Sequence, residues 1–317
     1  MSTRAVAAAV LLALVASIAA TARTARADVI AAIAPATDDV RKTIVVGPSG
    51  QVYEPDGSGT WTRKSEGGVA ADVRGAVVAG SALVVAGKSA PLYRRDPTGW
   101  IAMRLGERGK SVIGSGPRPA IAIGKNVFVW AGSSWKRVGR TTANIAALWA
   151  ASETKIVVAT DAGLVRFAGG GFAPVPAAPV VAGLGSGGPT SWAVTADAGA
   201  YEVATRRIHR PTVGGAPMAV ALVATSSDST WAFGSTPAGI ALARFHKGAW
   251  SEAIAPPVAA DDSALALVAD TSGALLVVTR GGLLHLLPAG AGATWSTGTR
   301  AEALPPATPG PGPARGR

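Results

Sequence analysis

The sequence predicts an all-β protein, a β-propeller that most simply has seven four-stranded blades. Two observations lead to this prediction. An apolar, mostly β-branched run recurs seven times, and about 14 to 19 residues after each run begins, a turn of small residues leads into an aromatic residue in six of the seven copies. From Trp61 to Trp295, six intervals span 234 residues, or 39 residues per repeat. Four short strands at this period are typical of a propeller blade, which buries its faces only against its neighbours.

The repeat can be followed along the whole chain. The seven runs are Ile44-Val45-Val46, Leu83-Val84-Val85, Ile121-Ala122-Ile123, Ile156-Val157-Val158, Trp192-Ala193-Val194, Trp231-Ala232-Phe233 and Leu276-Val277-Val278. The aromatic anchors are Trp61, Trp100, Trp135, Phe172, Trp250 and Trp295, with Ile208 in the fifth slot. One short alternating segment precedes each run and another lies between the run and its anchor, so each repeat offers four strands separated by Gly, Asp, Ser, Thr and Pro turns.

These landmarks place the blades at residues 28–66, 67–107, 108–140, 141–176, 177–213, 214–257 and 258–298. The third blade is the weakest, because Gly114, Gly116, Pro117 and Pro119 follow its short opening strand. Six or eight blades are also compatible with the pattern. A twisted β-sandwich is the alternative architecture, but seven evenly spaced copies argue against a fold with one non-repeating core.

The first 27 residues predict a secretory signal peptide. Arg4 supplies the positive start, Ala5 to Ala20 the apolar stretch, and Ala25-Arg26-Ala27 a small-x-small cleavage site. An uncleaved membrane anchor is the alternative, but the stretch is shorter than the roughly 20 residues that a spanning helix needs. We therefore expect a propeller domain over residues 28–299 and no transmembrane segment after signal removal. Residues 300–317, rich in Pro and Gly, are predicted to be a disordered tail.

Composition narrows the classes of function. The chain contains no cysteine, which excludes disulfides, thiolate metal sites, a cysteine nucleophile and an N-terminal lipidated cysteine. Together with the signal, this favours a periplasmic or secreted bacterial protein, for which nucleic acid is not an expected partner. Without the signal, 27 basic residues face 19 acidic ones, and residues 28–140 alone carry a net charge of +7.

One repeat shows a more specific resemblance. The segments Ile44-Val45-Val46-Gly47, Gly50-Gln51-Val52-Tyr53 and Asp56-Gly57-Ser58-Gly59-Thr60-Trp61 resemble secreted bacterial repeat propellers related to the Asp-box (sialidase-type) and photosystem II assembly-factor propellers. Asp56, Thr60 and Trp61 match the Asp-box order, whereas Ser58 replaces its glycine and Glu54 its serine. The resemblance covers about residues 28 to 298. It implies blade construction, since such boxes lock turns, and the arginine cluster, tyrosine and glutamate of sialidases have no counterpart that we can place.

Three groups of residues could form a catalytic or metal site, but a structural role explains each of them better. Tyr201 and Glu202 are adjacent, as a nucleophile and its partner could be, but neighbours on a strand point to opposite faces. His209, His246 and His285 fall in successive repeats at unequal positions, and two of them adjoin cationic residues, which disfavours a bound cation. The pairs Asp38-Asp39 and Asp261-Asp262 lie in predicted turns, where Asp caps its own backbone. We therefore expect no catalytic residue, metal or cofactor.

The candidate binding residues are basic, with one tryptophan. They are Arg63, Lys64, Arg104, Arg108, Trp130, Lys136, Arg137 and Arg140. The cations follow the aromatic anchors, which places them on outermost strands. There they either protect unpaired strand edges from association or form a positive rim that attracts acidic partners. Trp130 is opposite in strand phase to Trp135 and is therefore predicted to be exposed, whereas the recurring tryptophans are predicted to pack.

The sequence thus predicts a monomeric, non-enzymatic propeller of the bacterial envelope that binds or assembles a protein or glycan through one face. Its expected partners are an envelope protein or an acidic glycan or lipid surface. The alternative is a divergent, sialidase-like glycan-processing enzyme. A ring of Asp, Glu, Arg and Tyr around the central channel would favour the enzyme, and a bare channel mouth of small residues would favour the binding module.

Overall fold

A computed structural model gives the fold. It describes residues 30–56, 60–65, 67–69, 72–87, 92–259, 262–290, 293–296 and 299–300. The predicted signal peptide (1–27) and the tail beyond residue 300 lie outside these residues. Within them the fold is all-β, with a single 3-10 turn, η1 (Val40–Lys42).

The strands form seven blades at the predicted positions. Blade 1 contains β1 (Ala32–Ala34), β2 (Ile44–Val46), β3 (Val52–Pro55) and β4 (Trp61–Ser65), and blade 2 contains β5 (Val73–Ala79), β6 (Ala82–Gly87), β7 (Leu92–Asp96) and β8 (Gly99–Met103). Blade 3 contains β9 (Ser111–Ile113), β10 (Ala120–Ile123), β11 (Asn126–Trp130) and β12 (Trp135–Arg140), and blade 4 contains β13 (Ile145–Ala150), β14 (Ile156–Thr160), β15 (Gly163–Ala168) and β16 (Gly171–Pro174).

The second half of the ring follows the same plan with small additions. Blade 5 contains β17 (Val181–Leu184), β19 (Trp192–Thr195), β20 (Ala200–Glu202) and β21 (Arg207–His209), with the short β18 (Ser186–Gly187) after β17. A hairpin of β22 (Thr212–Val213) and β23 (Ala216–Pro217) leads to blade 6, which contains β24 (Ala219–Thr225), β25 (Ser229–Thr236), β26 (Gly239–His246) and β27 (Ala249–Ala253). Blade 7 contains β28 (Ala264–Ala269), β29 (Leu275–Thr279), β30 (Leu283–Leu287) and β31 (Thr299–Arg300).

Each blade is an antiparallel meander that runs outward from the central axis. First strands contact the first strands of neighbouring blades, which places them around the channel. Because strand direction alternates, the turns between second and third strands and the connections between blades lie on one face of the ring, which we call the upper face. The other turns lie on the lower face.

The core consists of seven apolar layers, one at each interface between blades. For example, Val268 and Leu276 of blade 7 pack with Ile30 and Val45 at the start of the chain. Corresponding clusters join every other neighbouring pair. Packing between the first and last blades therefore closes the ring, which confirms the seven-bladed propeller.

The aromatic anchors hold neighbouring blades together, as the repeat predicts. Trp61, Trp100, Trp135, Phe172, Trp250 and Trp295 each join the cluster between their own blade and the preceding one. Trp61 is 1% exposed and its indole N–H donates to Thr43 O at 2.6 Å. Ile208, in the fifth slot, departs from the pattern because it is 45% exposed.

Two segments extend the first strands of blades 3 and 5 at the lower end of the channel and run beside the first strands of the adjacent blades 4 and 6. Ser115 of blade 3 donates its hydroxyl to Gly185 O of blade 5 at 2.8 Å, and Gly187 N–H returns a bond to Ser115 O at 2.9 Å. Ser186 in turn donates to Leu267 O of blade 7. These bonds join blade 3 to blade 5 and blade 5 to blade 7, so residues 114–118 and 185–188 narrow the lower end of the channel. Close packing in this region explains a glycine that weakens the third repeat, because a Cβ on Gly116 would lie 2.2 Å from Ala150 O.

Candidate functional site

A basic groove lies on the upper face, around blade 3. Its walls are the connection from β8 to β9, the turn between β10 and β11, the end of β12 and the approach to β13. It encloses about 940 Å³. Blade-to-blade connections and second-to-third turns share this face, so segments distant in sequence meet here.

Two glycines allow the walls to approach each other. Gly124 has φ +59°, and a Cβ there would lie 2.9 Å from Arg108 O. A Cβ on Gly109 would lie 2.8 Å from Gly124 Cα. The contact is completed by Gly124 N–H, which donates to Lys110 O at 2.9 Å. Only residues without a side chain permit this approach, because real Cβ atoms do not come so close to backbone.

The groove is strongly positive. Its lining includes five cationic residues and a single carboxylate, Glu107; the cations are Arg108, Lys110, Lys125, Arg137 and Arg140. Arg137 Nη1 lies 3.5 Å from Glu107 Oε1, and Lys125 Nζ donates to Thr142 O at 2.6 Å. Within the described part of the chain, no carboxylate pairs with the other three cations. Uncompensated charge of this kind attracts anionic ligands.

A buried amide lies at the base of the groove. Asn126, the first residue of β11, is only 7% exposed, and its Oδ1 has no hydrogen-bond partner among the described residues. A buried acceptor left unpaired costs free energy, and such a group in a native fold calls for an explanation. A ligand that brings a hydrogen-bond donor beside its negative charges would supply the missing partner.

The structure divides the predicted binding residues. Arg108, Arg137 and Arg140 come together in the groove. Arg104 is exposed on the same connection but does not line the groove. We expected all these cations on outermost strands, whereas Arg104 and Arg108 lie after β8, in the connection to the next blade. That connection must return to the axis, which brings Arg108 close to the turn at Gly124.

Other predicted residues lie elsewhere. Lys136 is at the lower end of β12, where its Nζ lies 2.7 Å from Glu153 Oε2 of blade 4. Trp130 is also at the lower face and is half-buried, with its ring centroid 5.4 Å from that of Trp135 in an edge-on arrangement. It also covers Gly80 of blade 2, so much of its surface is used in packing.

Arg63 and Lys64 occupy the outermost strand of blade 1. Arg63 Nε donates to Ser65 O at 3.1 Å. Lys64 lines a separate crevice toward blade 2, beside the ion pair of Arg95 with Glu54 at 2.6 Å. Their position on an edge strand fits the protection of that edge, the first of the two roles predicted for these cations.

Lys125 and Asn126 were not predicted to be binding residues. Both follow Gly124 in the turn from the second to the third strand of blade 3. A signal was available, because in a meander this turn must share a face with the blade-to-blade connection that carries Arg108.

The candidate catalytic pair is separated. Tyr201 is 1% exposed in the core between blades 4 and 5, and burial raises the pKa of its hydroxyl. Glu202 points elsewhere and accepts a bond from Thr205 Oγ1 at 2.6 Å. A tyrosine whose ionisation is disfavoured, with no carboxylate directed at it, is a poor nucleophile.

The histidines do not converge. His209 packs among Trp192, Phe245 and Trp250, with ring centroids 5.0 to 6.2 Å away. His285 is 1% exposed in blade 7, and burial lowers its pKa. In the described ranges no three His, Asp or Glu residues are grouped as a metal site would require. Of the acidic pairs, Asp38 pairs with Lys42 and Asp39 with Arg41. Asp262 accepts a bond from Gly281 N–H at 3.0 Å, and Asp261 lies outside the described residues.

The described lining of the central channel contains no paired carboxylates and no tyrosine. This lining consists mainly of small and aliphatic residues, and the charged members are Arg74 and Lys110. No described lining residue is Asp, Glu or Tyr. In the part of the chain that the structure covers, no helix has the length and apolarity needed to cross a membrane.

Comparison with known proteins agrees with the fold. No protein-family model matches the chain, and no curated protein matches it. Among solved structures, it is similar to YCF48 from Cyanidioschyzon merolae, with a TM-score of 0.57 and 16% identity over 81% of this chain and 94% of that one. The computationally designed Ika8 protein gives a TM-score of 0.56 and 11% identity over 87% and 89%. A structure of YCF48 bound to D1 peptide gives 0.48 and 16% over 68% and 76%. At these identities the likeness concerns the β-propeller fold.

Proposed function

We propose that the chain is a non-enzymatic binding propeller of the bacterial envelope, and that the basic groove holds an acidic segment of a partner protein. The observation that carries this proposal is the set of three cations, Arg108, Lys110 and Arg140, that have no carboxylate partner in the described structure. Cations without a carboxylate partner can pair with an anionic ligand.

An acidic polypeptide suits the groove chemically. Its side-chain carboxylates match the guanidinium groups, which can bind them through two parallel hydrogen bonds. Its backbone N–H groups match the unpaired Oδ1 of Asn126. An acidic glycan shares the negative charge, and its binding is therefore an outcome that the experiment must separate.

The channel supports a binding module over the alternative enzyme. A glycan-processing site needs paired carboxylates or an activated nucleophile around the bound sugar. The described channel lining offers neither, and Tyr201 with Glu202 cannot work as a unit. Export to the periplasm or exterior is part of this proposal and depends on the predicted signal peptide.

The test is a titration by fluorescence anisotropy. A labelled ten-residue peptide of alternating Glu and Gly should bind the mature protein, and its affinity should fall steeply between 50 and 300 mM salt because exposed charges are screened. The peptide with Gln in place of Glu should not bind. A heparin fragment of equal charge that bound more tightly than the peptide would assign the groove to glycans.

Variants locate the site. Arg108→Glu with Arg140→Glu should abolish peptide binding and leave the melting temperature unchanged. The matched control is Arg207→Glu with Lys247→Glu, two exposed cations of blades 5 and 6 with the same total charge change. Equal losses in both double variants would show that only net charge matters and would overturn the groove. Self-association of the corresponding alanine variants by light scattering, without loss of peptide binding, would assign Arg108 and Arg140 to protection against aggregation.

A further inference from the structure

The first strands share an irregularity that shapes the channel. In blades 2, 4, 5, 6 and 7, the pairing of the first strand with the second is interrupted by one extra residue, a β-bulge. The extra residues are Arg74, Ala146, Ala182, Ala221 and Leu265. All five line the channel. Bulges redirect side chains, and here they build a ring of equivalent positions around the axis.

Arg74 is the exception in this ring. Three equivalent positions carry alanine and one carries leucine, so neither packing nor the bulge requires a guanidinium. Its side chain pairs through Nη2 with Asp72, an exposed residue before β5, and its other nitrogens have no partner among the described residues. Lys110 lines the same part of the channel. Together with Asp72, the two cations leave a net charge of +1 at this level.

Below these charges the channel is aliphatic. A cavity of about 390 Å³ is lined by residues such as Ala31, Ile33, Leu184 and Leu267, and it adjoins one of about 660 Å³ toward the upper face. The hydroxyls that reach the lower end, on Ser115 and Ser186, are already bonded to backbone oxygens. The volumes lie within the range of sites that hold small ligands.

The lower end of the channel favours a slender, uncharged end of a ligand. Residues 114–118 and 185–188 are joined there by bonds between Ser115, Gly185 and Gly187, which narrow that end, so we expect a ligand to enter from the upper face. A peptide would bring a charged terminus to this aliphatic end of the channel, where burying an unpaired charge is costly. An unbranched hydrocarbon brings a methyl group, and an acid group at its other end would remain beside the two cations.

We propose that the central channel binds a single-chain aliphatic carboxylate, methyl end first, with the carboxylate held at Arg74 and Lys110. This site shares Lys110 with the basic groove, whereas Arg74 and the aliphatic lining belong to the channel alone. The variants that test it therefore change residues that do not line the groove. The acid group could belong to a free fatty acid or to a phospholipid, and the geometry favours the free acid, since two chains would not share one channel.

The experiment is calorimetric titration of the mature protein with octanoate, decanoate and dodecanoate. Burial of each methylene should tighten binding about fourfold, until the chain fills the cavity. Decyltrimethylammonium, which has the same chain length and the opposite charge, should bind at least tenfold more weakly than decanoate. Equal affinities for the three acids, or for the cation and decanoate, would overturn the proposal.

Two kinds of variant test the carboxylate end and the hydrocarbon chain of the ligand separately. Arg74→Ala introduces the residue found at three of the four equivalent positions. It should weaken the binding of decanoate about 10- to 100-fold. Arg74→Lys should restore part of the loss, and Arg207→Ala on blade 5 should have no effect. Ala221→Phe fills the channel and should abolish binding. Ala182→Leu, which copies Leu265, is the milder variant if the first fails to fold.

The groove and the lipid surface provide the remaining controls. Ala221→Phe should leave binding of the acidic peptide unchanged, which separates failure of one site from failure of the other. Decanoate affinity unchanged by both Arg74→Ala and Ala221→Phe would overturn the assignment. Binding to phosphatidylglycerol vesicles with no binding of decanoate would also overturn it, because the ligand would then be a membrane surface.

Discussion

The backbone N–H of Val40 donates to Oδ2 of Asp270 at 3.1 Å, across 230 residues of sequence. Val40 begins the turn η1 of blade 1, and Asp270 lies in the turn between β28 and β29 of blade 7. The bond therefore crosses the interface at which the ring closes. A second backbone bond, from Thr271 N–H to Thr37 O at 3.0 Å, crosses the same interface.

Asp270 should consequently matter for stability. It is 3% exposed, and its Oδ1 also accepts from the backbone N–H groups of Ser272 and Ala274 in its own turn. Asp270→Ala leaves these groups and the Val40 N–H without their acceptor, so the free energy of unfolding should fall by about 1 to 3 kcal/mol. Asp270→Asn keeps an acceptor oxygen and should lose less. The matched control is Asp228→Ala in the corresponding turn of blade 6, because Asp228 is exposed and its partners lie in its own blade. Equal losses in urea unfolding would contradict a role in ring closure.

The aromatic anchors should contribute unequally to the free energy of unfolding. Trp61→Ala should cost about 3 to 5 kcal/mol, because the ring is fully buried between blades 7 and 1. Trp135→Ala should cost clearly less, since Trp135 is only half-buried and packs in part against Trp130. Unfolding by guanidinium measures both. A cost for Trp61 below about 1 kcal/mol would mean that the anchors do not hold the blades together.

The close approach at Gly124 should affect both stability and binding. Gly124→Ala introduces a left-handed alanine and a clash with Arg108 O, whereas Gly214→Ala has the same φ of 59° and nothing within 4 Å of the new Cβ. The left-handed conformation alone costs roughly 1 to 2 kcal/mol. We expect Gly124→Ala to lower the free energy of unfolding more than Gly214→Ala does. Only Gly124→Ala should weaken binding of the acidic peptide. Equal effects would show that the approach of the two walls is unimportant.

Replacement of Asn126 should weaken peptide binding without a loss of stability. Replacement of a buried, unpaired amide by an apolar side chain of similar size removes an unsatisfied acceptor, so Asn126→Leu should leave the melting temperature unchanged or raise it. The same variant should weaken the acidic peptide about tenfold. Asn144→Leu is the contrasting variant, because Asn144 Nδ2 donates to Asp161 at 2.9 Å and its loss should lower stability. A marked loss of stability in Asn126→Leu would show that the amide supports the fold.

His285 should make stability depend on pH. Burial lowers its pKa below the ordinary value of 6.5, so the unfolded chain binds more protons than the folded one between 6.5 and the lowered value. Its contribution is therefore fully present above pH 6.5 and is lost as the pH falls toward the folded pKa. His285→Leu should flatten this part of the curve, as measured by urea unfolding from pH 7.5 to 5. An unchanged slope in the variant would exclude His285 as its source.

The repeat pattern was sufficient to predict the architecture. Seven copies of an apolar run, each followed by an anchor, required a repeating fold whose units bury their faces against neighbours, and the cores at all seven interfaces agree with that requirement. Strand alternation also separated Tyr201 from Glu202 correctly. These inferences succeeded because period and alternation are local properties of the chain.

The repeat pattern did not predict which cations meet or which residues line the channel, because both depend on tertiary contacts. Arg108 and Arg140 are joined by Lys125 and Asn126 because connections from different parts of the chain return to one face, whereas Lys136 lies at the other end of the same strand as Arg140. The bulges that direct Arg74 into the channel depend on the register between paired strands, which hydrophobic pattern alone does not specify. A site is built from contacts between residues that are distant in sequence. The repeat pattern specifies which strands are neighbours, but it does not specify where their side chains converge.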